Sequence, residues 1–133
     1  MQTLFDKFEI PDRYTIGGQE YKVVKKEIVR DDDDDAVFGL HNPFEAKLSI
    51  AEGYPTSNDD TRPLSRDQIM NSFFHELFHS FNFMTNNEQE EWLAQSFANF
   101  MCEFLKTASY DSGHERESYL GEHPLEEYHH DTN

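Results

Sequence analysis

The segment from residue 65 to residue 83 constrains the fold most, because it predicts a long helix with two different sides. Ser65 and Gln68 are spaced as in a capping box, in which the serine side chain accepts a hydrogen bond from the amide of residue 68 and Gln68 reaches back. The helix is expected to begin at about residue 66 and to end at about Phe83. Its apolar residues recur at helical spacing and predict a core-facing side: Ile69, Met70, Phe73, Leu77, Phe81 and Met84.

Two histidines lie on the other side of this predicted helix. His75, Glu76 and His79 belong to an H-E-x-x-H stretch, and residues four apart on a helix lie one above the other. Both imidazoles can therefore reach one divalent metal ion, with Glu76 beside the ion's open position, where it can take a proton from water. A histidine on an apolar side is more often a core residue. These two histidines share a polar side of the helix with Gln68, Ser72 and Asn82, which favours the metal site.

A second helix is predicted from about Glu88 to Lys106 or Thr107. Asn87 and Glu90 offer its N-terminal cap, after a break at residues 85–87. Its apolar residues are predicted to face the core: Leu93, Ala94, Phe97, Ala98, Phe100, Met101, Phe104 and Leu105.

The first turn of this second helix offers a third metal ligand. A catalytic zinc site takes three protein ligands and one water, so the two histidines need a partner from another element. Glu91 lies at the border of the apolar side, on the same side as Gln95, and is the candidate. Glu88 and Glu90 are better explained as acidic residues that favour the helix dipole.

The region before the helices predicts a small sheet. Residues 14–16 and 21–29 flank Gly17 and Gly18, which is typical of a hairpin. Residues 36–41 and 46–51 predict a second hairpin, and residues 52–63 predict a loop. The five aspartates at 31–35 could bind calcium, but they lack the spaced ligands and the glycine of a calcium loop, and a solvated loop is the better interpretation. Residues 1–12 predict a short helix or arm that ends at Pro11.

The length and the charge limit the functions to consider. The 133 residues suit one domain, with 27 acidic and 11 basic residues giving a net charge of −16. Such a charge is repelled by nucleic acids and by anionic lipid, which excludes both as expected partners. The single cysteine, Cys102, allows no internal disulfide, and the N-terminus lacks an apolar signal segment. A cytoplasmic protein is expected, with residues 109–133 as a polar, loosely docked tail.

Two stretches together resemble a known family. His75-Glu76-Leu77-Phe78-His79, followed by Glu91-Trp92-Leu93-Ala94-Gln95-Ser96-Phe97-Ala98, resembles the zinc metallopeptidases of the ImmA/IrrE type, which belong to the gluzincins. The resemblance covers roughly residues 20–106. It implies a zincin-like α+β fold over residues 1–108, with a small antiparallel sheet of three to four strands packed on the two helices.

The resemblance also implies roles for individual residues. His75, His79 and Glu91 would bind one Zn²⁺ per chain, and Glu76 would be the catalytic base. Gln95 stands where the family has Asn or Asp, a position that orients a ligand histidine. A donor to the transition state is also expected, and it has three candidates: His41, Tyr54 and Tyr110.

The leading hypothesis is a small zinc-dependent endopeptidase that acts on a protein or peptide. The strand at about residues 46–51 is expected to pair with an extended substrate. In the ImmA/IrrE group the implied substrates are regulatory proteins, such as repressors of phages or mobile elements, and a phage-encoded member is expected in the host cytoplasm. Two other functions remain open: a catalytically silent zinc-binding interaction module, and an acidic protein that occupies basic surfaces.

Overall fold

The computed structural model describes residues 2–58, 60–85 and 90–110, which form an α+β fold, as expected. Its helices are α1 (Leu4–Lys7), α2 (Arg66–Thr85) and α3 (Glu91–Thr107). Its strands are β1 (Arg13–Ile16), β2 (Gln19–Lys26), β3 (Val29–Arg30), β4 (Ala36–Val37), β5 (Gly39–Asn42), β6 (Lys47–Ala51), β7 (Gly53–Pro55) and β8 (Thr61–Pro63). The strands form one sheet of four strands and two sheets of two strands.

The first predicted hairpin is confirmed. Strands β1 and β2 pair antiparallel, with Ile16 opposite Gln19. Gly17 and Gly18 form the turn, with φ angles of 57° and 82°. Positive φ at both central residues gives the strand twist that a two-residue hairpin needs, and glycine adopts it without a steric cost.

The four-stranded sheet is mixed, so the prediction of an antiparallel sheet is wrong at one strand pair. The strand order is β1-β2-β6-β5. Strands β5 and β6 form the second predicted antiparallel hairpin, but β2 and β6 run parallel, with Lys22 opposite Lys47. Local patterns predict each hairpin but not how two hairpins join, because that depends on packing between residues far apart in sequence. The order leaves β5 at one edge of the sheet.

Strand β6 lies in the middle of the sheet and is buried on both faces. Leu48, Ile50 and Ala51 are fully buried, and Ser49 is only 7% exposed. The alternation of apolar and polar residues predicts a half-buried strand, which is wrong because Ser49 is buried along with its apolar neighbours. The centre of the hydrophobic core is here, between β6, β2 and the helices.

Residues 52–63 contain β7 and β8, so the prediction of a loop without strands is wrong there. The two strands pair antiparallel, with Tyr54 opposite Arg62. Three-residue strands are too short to show a period of two in the sequence. The predicted strand 36–41 is divided into two short strands, because β4 pairs with β3 and only β5 joins the main sheet.

Helix α2 begins as predicted and ends at Thr85, two residues beyond the predicted end. The Ser65 hydroxyl accepts a hydrogen bond from the Gln68 amide at 3.1 Å, whereas the Gln68 side chain donates to Ser72 instead of reaching back. The polar side of α2 is also covered, because the helix lies between the sheet and α3. It buries these polar residues: Ser72, Glu76, His79, Ser80 and Asn82. Phe81 and Met84, predicted as core, are 46% and 45% exposed.

Helix α3 begins at Glu91, with Glu90 as the residue before its first turn. The predicted start at Glu88 and the cap at Asn87 lie outside the described residues. Three of the eight residues predicted on the apolar side are buried, whereas Phe100 and Phe104 are 62% and 47% exposed, so their prediction as core residues is wrong. The residues that α3 buries lie along one side of the helix, at successive spacings of four, four and three: Ala94, Ala98, Cys102 and Leu105.

The two ends of the described chain meet. The predicted N-terminal helix is present as α1, and the Leu4 amide donates to the Ala108 carbonyl at 3.0 Å. From residue 111 onward the predicted tail lies outside the described residues. Among the described helices, none combines the length and the apolar character that crossing a bilayer requires.

Candidate metal centre

The two histidines of the H-E-x-x-H stretch point their Nε2 atoms towards one another. His75 and His79 are one helical turn apart on α2, and their Nε2 atoms lie 3.2 Å apart. Their rings meet edge to face, with centroids 4.8 Å apart. His79 is buried and His75 is half-buried. The helix thus brings both nitrogens to one point, as the four-residue spacing predicts.

Glu91, the first residue of α3, completes this group of three. Its Oε1 lies 2.9 Å from His75 Nε2, and its Oε2 lies 2.9 Å from His79 Nε2. The carboxylate spans both histidines from the solvent side, since the Glu91 side chain is 73% exposed. The three residues can hold a metal ion.

Gln95, one turn after Glu91, sets the tautomer of His75. Its amide nitrogen donates to the side-chain oxygens of Asn71 and Asn99, at 2.8 and 2.9 Å. The amide oxygen therefore faces His75 and accepts from its Nδ1 at 3.0 Å. Because Nδ1 carries the proton in this arrangement, the Nε2 atom of neutral His75 holds a lone pair.

This tautomer tests whether the group fits a cation. The His75 Nε2 lone pair faces a Glu91 oxygen at 2.9 Å, and a carboxylate oxygen is also an acceptor. Two acceptors at hydrogen-bond distance repel one another unless a proton or a metal cation lies between them. Atoms bound tetrahedrally to one ion at zinc-like distances are separated by about 3.3 Å, close to the 3.2 Å between the two Nε2 atoms. The donor set therefore fits a single small divalent cation.

Glu76 places a carboxyl group deep in the same region. It follows His75 on α2 and is only 8% exposed. Burial, with a smaller contribution from the Glu91 carboxylate, raises the pKa of Glu76 to about 8. The folded, metal-free protein therefore retains a proton on Glu76 that the unfolded chain loses near its ordinary pKa of 4.5. Its contribution to stability is complete below that value and is lost as the pH rises towards 8.

A glycine on the edge strand makes room for Glu76. A Cβ atom on Gly39 would lie 2.9 Å from the Cγ of Glu76 and 3.2 Å from its Oε2. The same Cβ would lie 3.3 Å from the main-chain oxygen of Ser49, which cannot move easily. Any larger residue at 39 would therefore displace the Glu76 side chain.

The group opens into a cleft of about 710 Å³ between β5, α2 and the first turns of α3. His75, Glu76, His79, Glu91 and Gln95 all line it. The cleft thus joins the candidate metal ligands, a buried carboxyl group and the edge of a sheet, which are the parts that hydrolysis of an extended chain requires.

The three candidate transition-state donors lie in different places. His41 on β5 lines the cleft, and its Nε2 is 2.9 Å from the Tyr21 hydroxyl. Burial, together with nearby His79, lowers the pKa of His41 to about 4, so its ring is neutral at physiological pH. Tyr54 lies in a neighbouring cavity and donates to the Ala36 carbonyl at 3.3 Å. Tyr110 is 69% exposed near the end of the described chain and is not brought to the cleft.

Four residues that shape this site were not predicted from the sequence: Gly39, Tyr21, Asn71 and Asn99. A signal existed for the two asparagines, since each lies one helical turn from a predicted site residue. Asn71 precedes His75 by four residues, and Asn99 follows Gln95 by four. No local signal marks Gly39 or Tyr21, because their roles depend on how strands pair.

The aspartate run forms a second acidic group, distant from the cleft in sequence. Asp31 Oδ1 accepts hydrogen bonds from the amides of Asp33 and Asp35, each at 2.9 Å. Most of these side chains are exposed, which agrees with the predicted solvated loop.

Comparisons of the chain with protein-family models, with curated proteins and with solved structures gave no match. The function is therefore inferred from the geometry of the site.

Proposed function

We propose that the protein is a zinc-dependent endopeptidase of the ImmA/IrrE type. One observation supports this most strongly: two histidine Nε2 atoms and the Glu91 carboxylate converge within 3.2 Å of one another. The buried carboxyl group of Glu76 lines the same cleft. Two histidines with one carboxylate form a ligand set of catalytic zinc, which keeps one coordination position open for water.

The residues of the site have separate roles in this proposal. His75, His79 and Glu91 hold the ion, and Gln95 keeps His75 in the tautomer that can bind it. When bound, zinc acidifies a water molecule and polarises the peptide carbonyl. Glu76 takes the proton from the attacking water and passes it to the leaving amine, as a general base and then a general acid.

The edge strand β5 binds the substrate in this proposal. The prediction that residues 46–51 take this role is wrong, because β6 is paired on both sides, by β2 and β5. The Ala51 amide donates to the Phe38 carbonyl at 2.9 Å. In the alternating pattern of an antiparallel pair, the main-chain groups of Leu40 then face β6, and those of Gly39 and His41 face away from it. An extended peptide can pair with these two residues.

His41 is the proposed donor to the transition state. It alone of the three candidates lines the cleft, and the hydrogen bond with Tyr21 fixes its ring. A neutral imidazole with one N–H can donate to the oxyanion that develops at the scissile carbonyl. The Tyr21 hydroxyl is a positioning group, because the residue is 3% exposed and does not line the cleft.

A cleavage assay with a matched variant tests the proposal. Wild-type protein and Glu76→Gln, each loaded with zinc, are incubated with a pool of diverse unstructured peptides, and the products are identified by mass spectrometry. We expect new peptide termini with the wild type and a loss of about 10²-fold or more with Glu76→Gln, at equal zinc content. Equal cleavage by both would contradict the role of Glu76. Full zinc content with no cleavage of any peptide would favour the silent binding module.

A further inference from the structure

A side cavity adjoins the cleft beyond the N-terminal end of β5. It has a volume of about 540 Å³, and its lining includes Phe38, Tyr54, Arg62, Leu64 and Gln68. Phe38 and Gln68 line both this cavity and the cleft. The two spaces therefore adjoin at these residues, and a peptide bound along β5 that continues past Phe38 would reach the side cavity.

The β7–β8 hairpin builds the wall of this side cavity. Tyr54 and Arg62 are directly opposite in the hairpin, so their side chains project from the same face. Gly53 lets the strands approach closely, because a Cβ there would meet the Thr61 methyl at 2.6 Å. The Leu64 amide donates to the Glu52 carbonyl at 2.9 Å and closes the base of the hairpin.

The cavity combines an apolar surface with a positive charge. The rings of Phe38 and Tyr54 pack with centroids 5.0 Å apart, and Phe38 remains 43% exposed. The side chains of Arg13, Arg30 and Arg66 form ion pairs or hydrogen bonds. Among the described arginines, only the Arg62 side chain forms neither with a described residue. An exposed arginine in a chain of net charge −16 is available for a carboxylate of a ligand.

The direction of strand pairing indicates which part of the substrate reaches the cavity. A peptide that pairs antiparallel with β5 runs from Asn42 towards Phe38, because β5 itself runs from Gly39 to Asn42. Glu76 lies beside Gly39. The residues on the C-terminal side of the cleaved bond would therefore enter the cavity.

We propose that the side cavity is a subsite that binds the substrate on the C-terminal side of the cleaved bond. It takes an apolar side chain against Phe38 and Tyr54 and a neighbouring carboxylate at Arg62. This inference depends on the proposed function, since the direction follows from cleavage in the cleft. The carboxylate is either an acidic side chain or the terminal carboxylate of the peptide.

A binding experiment tests the subsite separately from cleavage. Two pools of fluorescent short peptides contain a fixed leucine followed by a fixed Glu or a fixed Lys, with neutral residues elsewhere. Their affinities are measured for the zinc-loaded full chain carrying Glu76→Gln, which keeps the peptides intact. The same measurement is made with Arg62→Glu added, or with Arg13→Glu added. The latter is a matched control, because it makes the same charge change on β1, at the opposite edge of the sheet from β5.

The readout is the affinity for the Glu pool divided by the affinity for the Lys pool. We expect this ratio to fall about fivefold in the Arg62→Glu chain relative to the Arg13→Glu chain, as for an accessible ion pair. Equal ratios in the two chains, or no binding of either pool, would overturn the subsite. A peptide that ends in leucine is compared with its C-terminal amide to distinguish the two sources of the carboxylate. A preference for the free acid that requires Arg62 assigns the terminal carboxylate. A preference confined to the Glu pool assigns the acidic side chain. If the ratio follows Arg62 but the wild type cleaves neither pool, the proposed function fails and the binding site stands.

Discussion

Replacing Gln95 by alanine should weaken metal binding without weakening the fold. The Gln95 amide oxygen accepts from His75 Nδ1 at 3.0 Å, and hydrogen bonds to Asn71 and Asn99 hold the amide in that orientation. The substitution leaves His75 free to rotate and to place its proton on Nε2, the atom that faces Glu91. Metal binding would then have to restore both the orientation and the tautomer.

The size of the effect follows from the exposure of Gln95. The side chain is on the surface, so water can replace part of the lost hydrogen bond, and its net value is about 1 kcal/mol. Loss of an orienting group beside a ligand histidine lowers metal affinity by roughly 10- to 100-fold. We expect about a tenfold loss, at the lower end of that range. The stability of the metal-free protein should change little, because alanine has the higher helix propensity.

Competition with a chromophoric chelator measures the zinc affinity, and urea unfolding in EDTA measures the stability of the metal-free chain. Ser96→Ala is the matched control, since Ser96 is the next residue on α3 and is also exposed. Zinc affinity within twofold of wild type for Gln95→Ala would refute the reasoning. A parallel loss of metal-free stability would assign Gln95 a merely structural role.

Three further predictions follow from the same site. Between pH 5 and pH 8 the free energy of unfolding of the metal-free protein should fall by roughly 4 kcal/mol through Glu76. Urea unfolding at a series of pH values should show that Glu76→Gln removes most of this pH dependence. An unchanged pH dependence would contradict the burial of a protonated carboxyl group. Gly39→Ala should lower peptidase activity at least about tenfold, because the new Cβ displaces Glu76, while zinc content stays at one per chain; full activity would refute the contact. If Tyr21 positions His41, Tyr21→Phe should lower kcat several-fold and change KM less. Changes of equal size in kcat and KM, at wild-type zinc content, would argue against this role.

The sequence predicted the helices and the grouping of His75, His79 and Glu91 better than it predicted the sheet. The capping serine and the H-E-x-x-H spacing are local patterns, and one helical turn is enough to place His75 and His79 together. Glu91 could be predicted as a ligand from its place in the first turn of α3, and the role of Gln95 follows from the family resemblance. The approach of both residues to α2 depends on packing between distant segments.

Packing between distant segments explains most of the wrong predictions. The parallel pairing of β2 with β6 and the edge position of β5 arise from how two hairpins join, which neither hairpin specifies. The prediction that residues 46–51 pair with a substrate is wrong for the same reason, since β6 has a strand on each side. Phe100 and Phe104 fit an apolar helical period, but α3 contacts its neighbours through Ala94 and Ala98, which leaves the larger rings exposed. Gly39 became significant only when the side chain of Glu76 was found beside it.

The metal content of the purified chain tests the central claim most directly. Zinc per chain is measured by mass spectrometry for protein purified without chelator, for the wild type, His75→Ala, Glu91→Ala and the control Glu103→Ala. Glu103 is an exposed acid on the same helix as Glu91. We predict close to one zinc in the wild type and in Glu103→Ala, with zinc lost from the other two variants. A wild-type chain that holds no metal and takes up none when zinc is added would contradict the account, as would unchanged zinc content in His75→Ala and Glu91→Ala.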